Sequence, residues 1–551
     1  MTRAGTTAPV AHRPGAGSLL LAQLRYSVVG LWRVRVVLIF TFVLPLVWLL
    51  VVGAIAGNET IDSASGVRVM QFVTPVALSM GVLYAAYPTV AISLAEAREL
   101  GILKRLRGTP LPAWTYLAGR IGGALVFALG SVAASLAVGV LGFGVQIVWR
   151  TLLATVVTLV VGIACFAALG LAVAALAPSQ SFAQGASIGT AVGLTFVSGL
   201  FSFGGSVPAW LSTIGDVFPL KPFNELLQSQ FNPFHPGAGW DWGKLAVVAA
   251  WAVAAALVAV RFFRWDAGLR GGGGPAPAVP PPPAPTPVAA PRAQTRRPPS
   301  AAAMVLAQAR FALRAAWRDP GSIFFALVMP VGLYALILAT QGQDAGDVSG
   351  VPFPVFYAAS MVAYGAGVAV FLNLPEAVMV ARDRGVLKRL RGTPLQTWQY
   401  LAGRTLAGLA LTVVIAAAVL AVGVAFYDVT VTAAGLLVGL VVLQVGALTM
   451  TACGFAVASR VPNAKSVGAV GLVILLPLSF FSDVFVVGGP EWMRTVGSFF
   501  PLLHVQRVLK AAWDPGGAEI AWASLGVLLL WLVVAGAVAV RFFRWETRAG
   551  Q

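Results

Sequence analysis

ARELGILKRLRGTP at residues 97–110 returns almost unchanged as ARDRGVLKRLRGTP at residues 381–394. Working outward, LLAQLRYSVVGLWR from Leu20 is mirrored by VLAQARFALRAAWR from Val305, Pro178 by Pro462, and IGDVFPL from Ile214 by VGSFFPL from Val496. AVRFFRW closes both series, at 259–265 and again at 539–545. Matches this nearly collinear, at start, middle and end, make the chain a tandem duplication. Between the copies lies GGGGPAPAVPPPPAPTPVAAP, residues 271–291, followed by a basic stretch to Ser300. Glycine and proline at that density build no core, so residues 271–300 read as a linker between domains at 1–270 and 301–551.

Composition fixes the solvent. The chain has 551 residues, of which 58% are hydrophobic and only 10% charged, and its mean hydropathy is +0.86. A soluble globular chain carries about 25% charged residues, so lipid rather than water must face most of this surface. Apolar runs such as 36–56, 151–177, 245–263 and 521–540 approach the roughly 20 residues that cross a bilayer core. They are continuous rather than alternating at period two, which makes a β-barrel a poor alternative. The linker is water-loving, so both its ends belong on one side, and each half needs an even number of spans. Six fit: near 36–56, 69–93, 116–145, 150–177, 185–204 and 243–263, then near 322–340, 353–379, 400–426, 433–458, 466–487 and 519–540. An even count sets the halves in parallel orientation. The expected fold is all-α and integral to the membrane, with twelve transmembrane helices in two homologous six-helix halves.

The net charge of +18 follows that topology. Lys and Arg concentrate on the linker side, which the positive-inside rule makes cytoplasmic, together with both termini. The excess therefore calls for no nucleic-acid partner. The basic N-terminal segment lacks a cleavage pattern, so the first apolar segment is expected to remain as an anchor. Cys165 and Cys453 lie in apolar runs as packing residues, and the three histidines have no metal-ligand spacing.

The repeated loop follows the second span of each half. Ile102, Leu103 and Leu106 share one helical face against Lys104, Arg105 and Arg107. Val386, Leu387 and Leu390 do the same against Lys388, Arg389 and Arg391. Each loop reads as a short amphipathic helix. Gly108 and Gly392 are expected in the left-handed conformation after it, with Thr109–Pro110 and Thr393–Pro394 opening the next helix. The leucine face suggests docking into a groove on a cytoplasmic partner, and a charge signal alone would not need the same shape twice.

At these residues the chain resembles the permeases of ABC-2 type exporters, the drug-exporter-like group, once per half. The resemblance implies interfacial connecting helices (residues 19–34 and 304–318 here), cytoplasmic coupling helices and external re-entrant segments (205–230 and 488–512). It also implies ATPase-coupling residues: Glu99, Gly101, Leu103, Lys104, Arg105, Leu106 and Arg107, and Asp383, Gly385, Leu387, Lys388, Arg389, Leu390 and Arg391. Glu99 and Asp383 fit equally a cap or a pair with neighbouring basic residues. No phosphate-binding loop is present, since Gly243–Lys244 is followed by Leu245. The chain is therefore expected to be no enzyme and to bind no cofactor. ATP and Mg would sit on separately encoded ABC ATPase subunits, two copies for two loops, at the plasma membrane. Substrates implied are hydrophobic or amphipathic molecules of a drug or antibiotic kind, with a lipid or polysaccharide as the alternative. An ion-driven secondary transporter would want ionisable residues at mid-membrane, and Glu376, Asp428 and Asp483 are read near span ends. A regulatory or assembly protein without transport is the remaining class.

Overall fold

The computed structural model describes residues 15–32, 38–62, 66–109, 111–200, 209–263, 300–318, 320–341, 346–390, 392–485 and 489–543. Residues 271–299 of the expected linker and Arg391 lie outside these residues. The chain divides into two compact units, Met1–Trp265 and Asp266–Gln551, each a helical assembly with its own core.

Eight helices are long and apolar enough to cross a membrane. They are Met70–Glu99, Trp114–Gly142, Trp149–Leu176 and Trp242–Phe262 in the first unit, and Phe353–Asp383, Thr397–Phe426, Ala433–Arg460 and Trp522–Phe542 in the second. They correspond to the second, third, fourth and sixth expected spans of each half. The first and fifth are shorter. Leu44–Ala56 and Met329–Gln341 have 13 residues each, or about 20 Å at 1.5 Å per residue, short of the bilayer core unless flanking turns extend them. A π-helical turn precedes each, at Ile39–Val43 and Phe324–Val328. The fifth helices, Gln180–Val197 and Ala464–Phe481, have 18 residues each. The protein is thus helical and multi-pass, with eight full-length candidate spans among the described residues where twelve were expected.

Burial assigns places to the helices. In the second helices 89% and 94% of the most apolar window is buried, against 17% in both sixth helices. Each second helix is the axis of its half. Each sixth helix presents Val253, Leu257 and Val260, or Leu530, Val533 and Val540, outward, an apolar surface that only lipid can cover at low cost. Close packing on the axis depends on glycine. A Cβ at Gly170 would lie 2.5 Å from the Tyr87 carbonyl oxygen, and one at Gly454 would lie 2.4 Å from that of Phe371. The fourth helix can approach the second this closely only without a side chain there.

Two features lie beyond the all-helical expectation. A small antiparallel ribbon follows the first span of each half: Thr60–Asp62 with Val67–Arg68, and Asp347–Val348 with Val351–Pro352. In the second, Ser349 (φ 53°) and Gly350 (φ 84°) both take positive φ, the backbone of the tight two-residue hairpin turn. Each segment expected to be re-entrant is a pair of short helices: Ala209–Val217 with Leu220–Phe231, and Glu491–Gly497 with Pro501–Ala512.

Candidate functional site: the repeated LKRLRG end

The second helix of the first half ends at Glu99, and Gly101 then turns the chain with φ 67° into a short helix, Ile102–Arg107. In the second half Asp383 ends the helix, Gly385 has φ 69°, and Val386–Leu390 follows. The left-handed residue thus precedes the short helix. Gly108 and Gly392, expected to hold that conformation, do not. They donate to the Arg105 and Arg389 carbonyls at 3.2 Å as ordinary closing turns. The threonines also differ from expectation. Thr109 and Thr393 donate their hydroxyls back to the Leu106 and Leu390 carbonyls, both at 2.6 Å, closing the short helix instead of opening the next. The third helices start later, at Ala113 behind Pro112, and at Thr397 with a reciprocal Gln396–Gln399 capping box.

The leucine face points inward. Leu103 and Leu387 are buried within their own halves, at 0% and 1% exposure, and Leu387 packs with Leu374, Val378, Tyr400 and Phe455. Insertion of Leu103 and Leu387 into a partner's groove is therefore corrected: the permease interior already occupies them, because one face of so short a helix must cover the ends of the second and fourth helices. Leu106 and Leu390 are half-buried. What each loop presents outward is charge, from Lys104, Arg105, Lys388 and Arg389. Arg105 donates to the Leu100 carbonyl at 3.3 Å and Arg389 to that of Arg384 at 3.4 Å, each bridging the glycine corner. Arg107 belongs to the short helix by its backbone.

The acidic residues resolve as caps. Glu99 accepts from the Gln180 backbone N–H at 2.9 Å, and Asp383 from that of Ala464 at 2.8 Å. Both are first-turn amides of the fifth helix, whose N-caps are Ser179 and Asn463. A carboxylate there satisfies an otherwise unpaired donor and complements the helix dipole.

The neighbouring arginines, which sequence reasoning passed over, grip the other side of the same corner. Arg98 donates to the Ala174 carbonyl at 3.0 Å and also to that of Ala177. Arg382 donates to the Pro462 carbonyl at 2.7 Å and pairs with Asp383 at 3.3 Å. An Arg–acid dipeptide therefore staples the C-terminal end of the fourth helix and the N-terminus of the fifth to the hinge of the short helix, in both halves. The signal was in the repeat itself, which keeps Arg then Glu or Asp in register.

A second contact missed in the sequence joins the amphipathic N-terminal helices to this end. Ala16–Trp32 and Ala301–Trp317 pack on the third helix, where a Cβ at Gly119 would meet Gln23 and one at Gly403 would meet Gln308. Arg120 lies buried over the Tyr116 ring, and Arg404 over both Tyr400 and Phe311. Tyr400 also touches the Leu387 cluster, so in the second half the short helix, third helix and amphipathic helix form one contiguous block.

The other sequence candidates lie elsewhere. Glu376 packs beside Gly468, while Asp428 and Asp483 occupy turns at φ 52° and 53°. Gly243–Lys244 opens the sixth helix behind the Asp241 cap, and Lys244 pairs with Glu225 at 3.0 Å.

Comparison with known proteins fits this architecture. The profile of the family described as ABC-2 type transporter matches twice, at residues 18–232 and 304–512. The chain belongs to the ABC-2 type transporter family, with two copies of its domain in tandem. It is 24% identical over 192 residues to a protein named probable multidrug ABC transporter permease YbhR of Escherichia coli (strain K12), covering 34% of this chain and 52% of that protein. The same figures hold for the protein of that name in Escherichia coli O157:H7. The chain thus spans about half the length of the curated relatives it matches.

Proposed function

We propose that this chain is the membrane-spanning permease of an ATP-driven exporter in the plasma membrane. It moves hydrophobic or amphipathic molecules of a drug or antibiotic kind outward, and separately encoded ABC ATPase subunits supply the energy. ATP and Mg belong to those subunits, and the chain itself catalyses nothing. The linker and both termini are cytoplasmic. Two ATPase subunits serve one chain, one at each LKRLRG loop.

The observation that carries this reading is the matched staple behind two exposed basic helices. Lys104 and Arg105, or Lys388 and Arg389, offer a charged docking face whose underside is fixed by Leu103 or Leu387. Movement of that helix is passed through Arg98–Glu99, or Arg382–Asp383, to the corner between the fourth and fifth helices. A docking event is thereby linked to the tilt of spans without any long-range relay. The multidrug name of the relatives supports the substrate class.

The test is co-expression of the chain with its candidate ATPase and mass measurement of the purified complex. The expected composition is one permease to two ATPases, with hydrolysis stimulated by lipophilic cations or antibiotics. A complex of two permeases with two ATPases would overturn the use of both loops by one chain. A chain that exports in cells without any ATPase, on an ion gradient, would overturn the energy source.

A further inference from the structure

The ends of the two halves opposite the LKRLRG loops share a frame but not a charge. In the first half Trp251 donates its indole N–H to the Val217 carbonyl at 2.7 Å and stacks on Phe218. In the second, Trp531 donates to the Phe499 carbonyl at 2.9 Å and stacks on Phe500. The re-entrant helices are thus tied to the sixth helix in the same way. Aligned on IGDVFPL and VGSFFPL, Ser212, Lys221, Glu225 and Gln228 correspond to Arg494, Leu503, Arg507 and Lys510.

The first half neutralises itself. Lys221 pairs with Asp216 at 2.6 Å and Glu225 at 3.8 Å, and Lys244 pairs with Glu225 and Asp241. The second half has lost that lysine and exchanged the central carboxylate for Arg507. No ion pair or hydrogen bond engages the side chains of Arg494 or Arg507 among the described residues. Both line an open surface pocket of ≈ 350 Å³ with Glu491, Thr495 and Ser498. Lys510 lies three residues beyond Arg507 on the same helix, donates to the Ser349 carbonyl at 3.0 Å, and has its pKa lowered by burial and then by Arg507. Like charges at that spacing repel. Asp483 faces the same cluster, its pKa raised by burial against the pull of Arg494, Arg507 and Lys510. Trp492, next in sequence to the lining residue Glu491, is exposed, and tryptophan is enriched at the headgroup level of a bilayer.

We infer that this pocket in the second half binds a phosphate-type anionic group, held by Arg494 and Arg507 across from Glu491. The Thr495 and Ser498 hydroxyls are already given to the Glu491 and Thr495 carbonyls. Arginine forks suit tetrahedral oxyanions. The exposed Trp492 on the same helix favours a group carried on an amphiphile, as a phospholipid headgroup is. The first half, with its carboxylates in place, has no counterpart.

The test uses the full chain purified in detergent and exposed to phosphatidylglycerol or phosphatidylcholine, with retained lipid read by native mass spectrometry. Inorganic phosphate is titrated separately against tryptophan fluorescence. Phosphatidylglycerol should be retained at least about tenfold over phosphatidylcholine, since loss of one charge-assisted contact is worth about a factor of ten. Arg494→Gln with Arg507→Gln should abolish that preference, whereas Lys221→Gln in the first half should leave it. Saturation by inorganic phosphate at millimolar levels without lipid would assign the pocket to a soluble phosphate compound, and lipid retention without phosphate binding to the membrane. Should the double glutamine variant fail to fold, the double lysine variant, which keeps the charge, and the salt dependence of wild-type retention give the same reading. Equal retention of both lipids together with no phosphate binding, or a preference unchanged in the folded double glutamine variant, overturns the site.

Discussion

Arg98–Glu99 and Arg382–Asp383 make matching contacts at one end of the two halves, while Glu225 and Arg507 carry opposite charges at corresponding positions of the other end. The first pair belongs to an end where the short helix and the fourth–fifth corner are fixed together in both halves, with the third helix joined to them in the second. The second belongs to a re-entrant frame that is kept while its side chains change. Fusion into one chain lets the halves drift apart, and they have drifted away from the LKRLRG end. Retention of both staples is what two equivalent docking events require. Divergence opposite them fits a route or a lipid contact that is asymmetric.

The comparison can be broken first at the buried leucines. Leu103→Asp or Leu387→Asp places a carboxylate among the side chains of its own half. The cost exceeds the roughly 2–5 kcal/mol of a large-to-small change there. Either variant should lose folded protein from the membrane, read as loss of the monodisperse peak in size-exclusion chromatography of detergent extracts. A stable variant that only fails to recruit an ATPase would show instead that these leucines face a partner. The effect should be alike in the two halves.

The staples come next. Glu99→Gln and Asp383→Asn should each cost on the order of 1 kcal/mol, the value of a cap at a helix N-terminus, seen as a modest drop in thermal stability. The double variant should lose substrate-stimulated hydrolysis while still holding its ATPase. If hydrolysis stays coupled, the corner between the fourth and fifth helices is not the route. Gly101→Ala and Gly385→Ala should cost about 1–2 kcal/mol by forcing a side chain into left-handed backbone, and Asn should restore most of it at either position. The same thermal melts check this, because a Cβ meets nothing within 4 Å at either glycine and only the backbone is tested. Smallest is Lys104→Ala, an exposed charge worth about 0–1 kcal/mol. It should leave efflux nearly intact in a cell-based transport assay.

Much of this was legible in the sequence. The duplication, the membrane setting and the amphipathic short helix follow from repeat, hydropathy and heptad-scale pattern. What was not legible depends on contacts distant along the chain. Leu103 and Lys104 look alike as members of an amphipathic helix, and nothing local says whether the apolar face meets a partner or the permease's own core. The Thr–Pro pair reads as a helix start, yet the hydroxyl closes the preceding turn on the Leu106 or Leu390 carbonyl. Glu99 and Gln180 meet only after two long helices have been laid side by side. Eight of the twelve expected spans are full-length apolar helices among the described residues. Hydropathy does not set the lengths of the first and fifth, since it does not see the π-helical turn before each first helix.

The central claim, that two exposed basic helices on one chain each engage an ATPase, rests on Lys104, Arg105, Lys388 and Arg389. Reversing all four to Glu leaves every buried contact in place, so membrane abundance and the chromatographic profile should match wild type. Co-purification of the ATPase from cells expressing both proteins is the direct measurement. The account predicts that the four-fold variant loses the ATPase, while reversal in either half alone retains about half of it. Full retention of the ATPase with normal efflux by the four-fold variant would contradict the account.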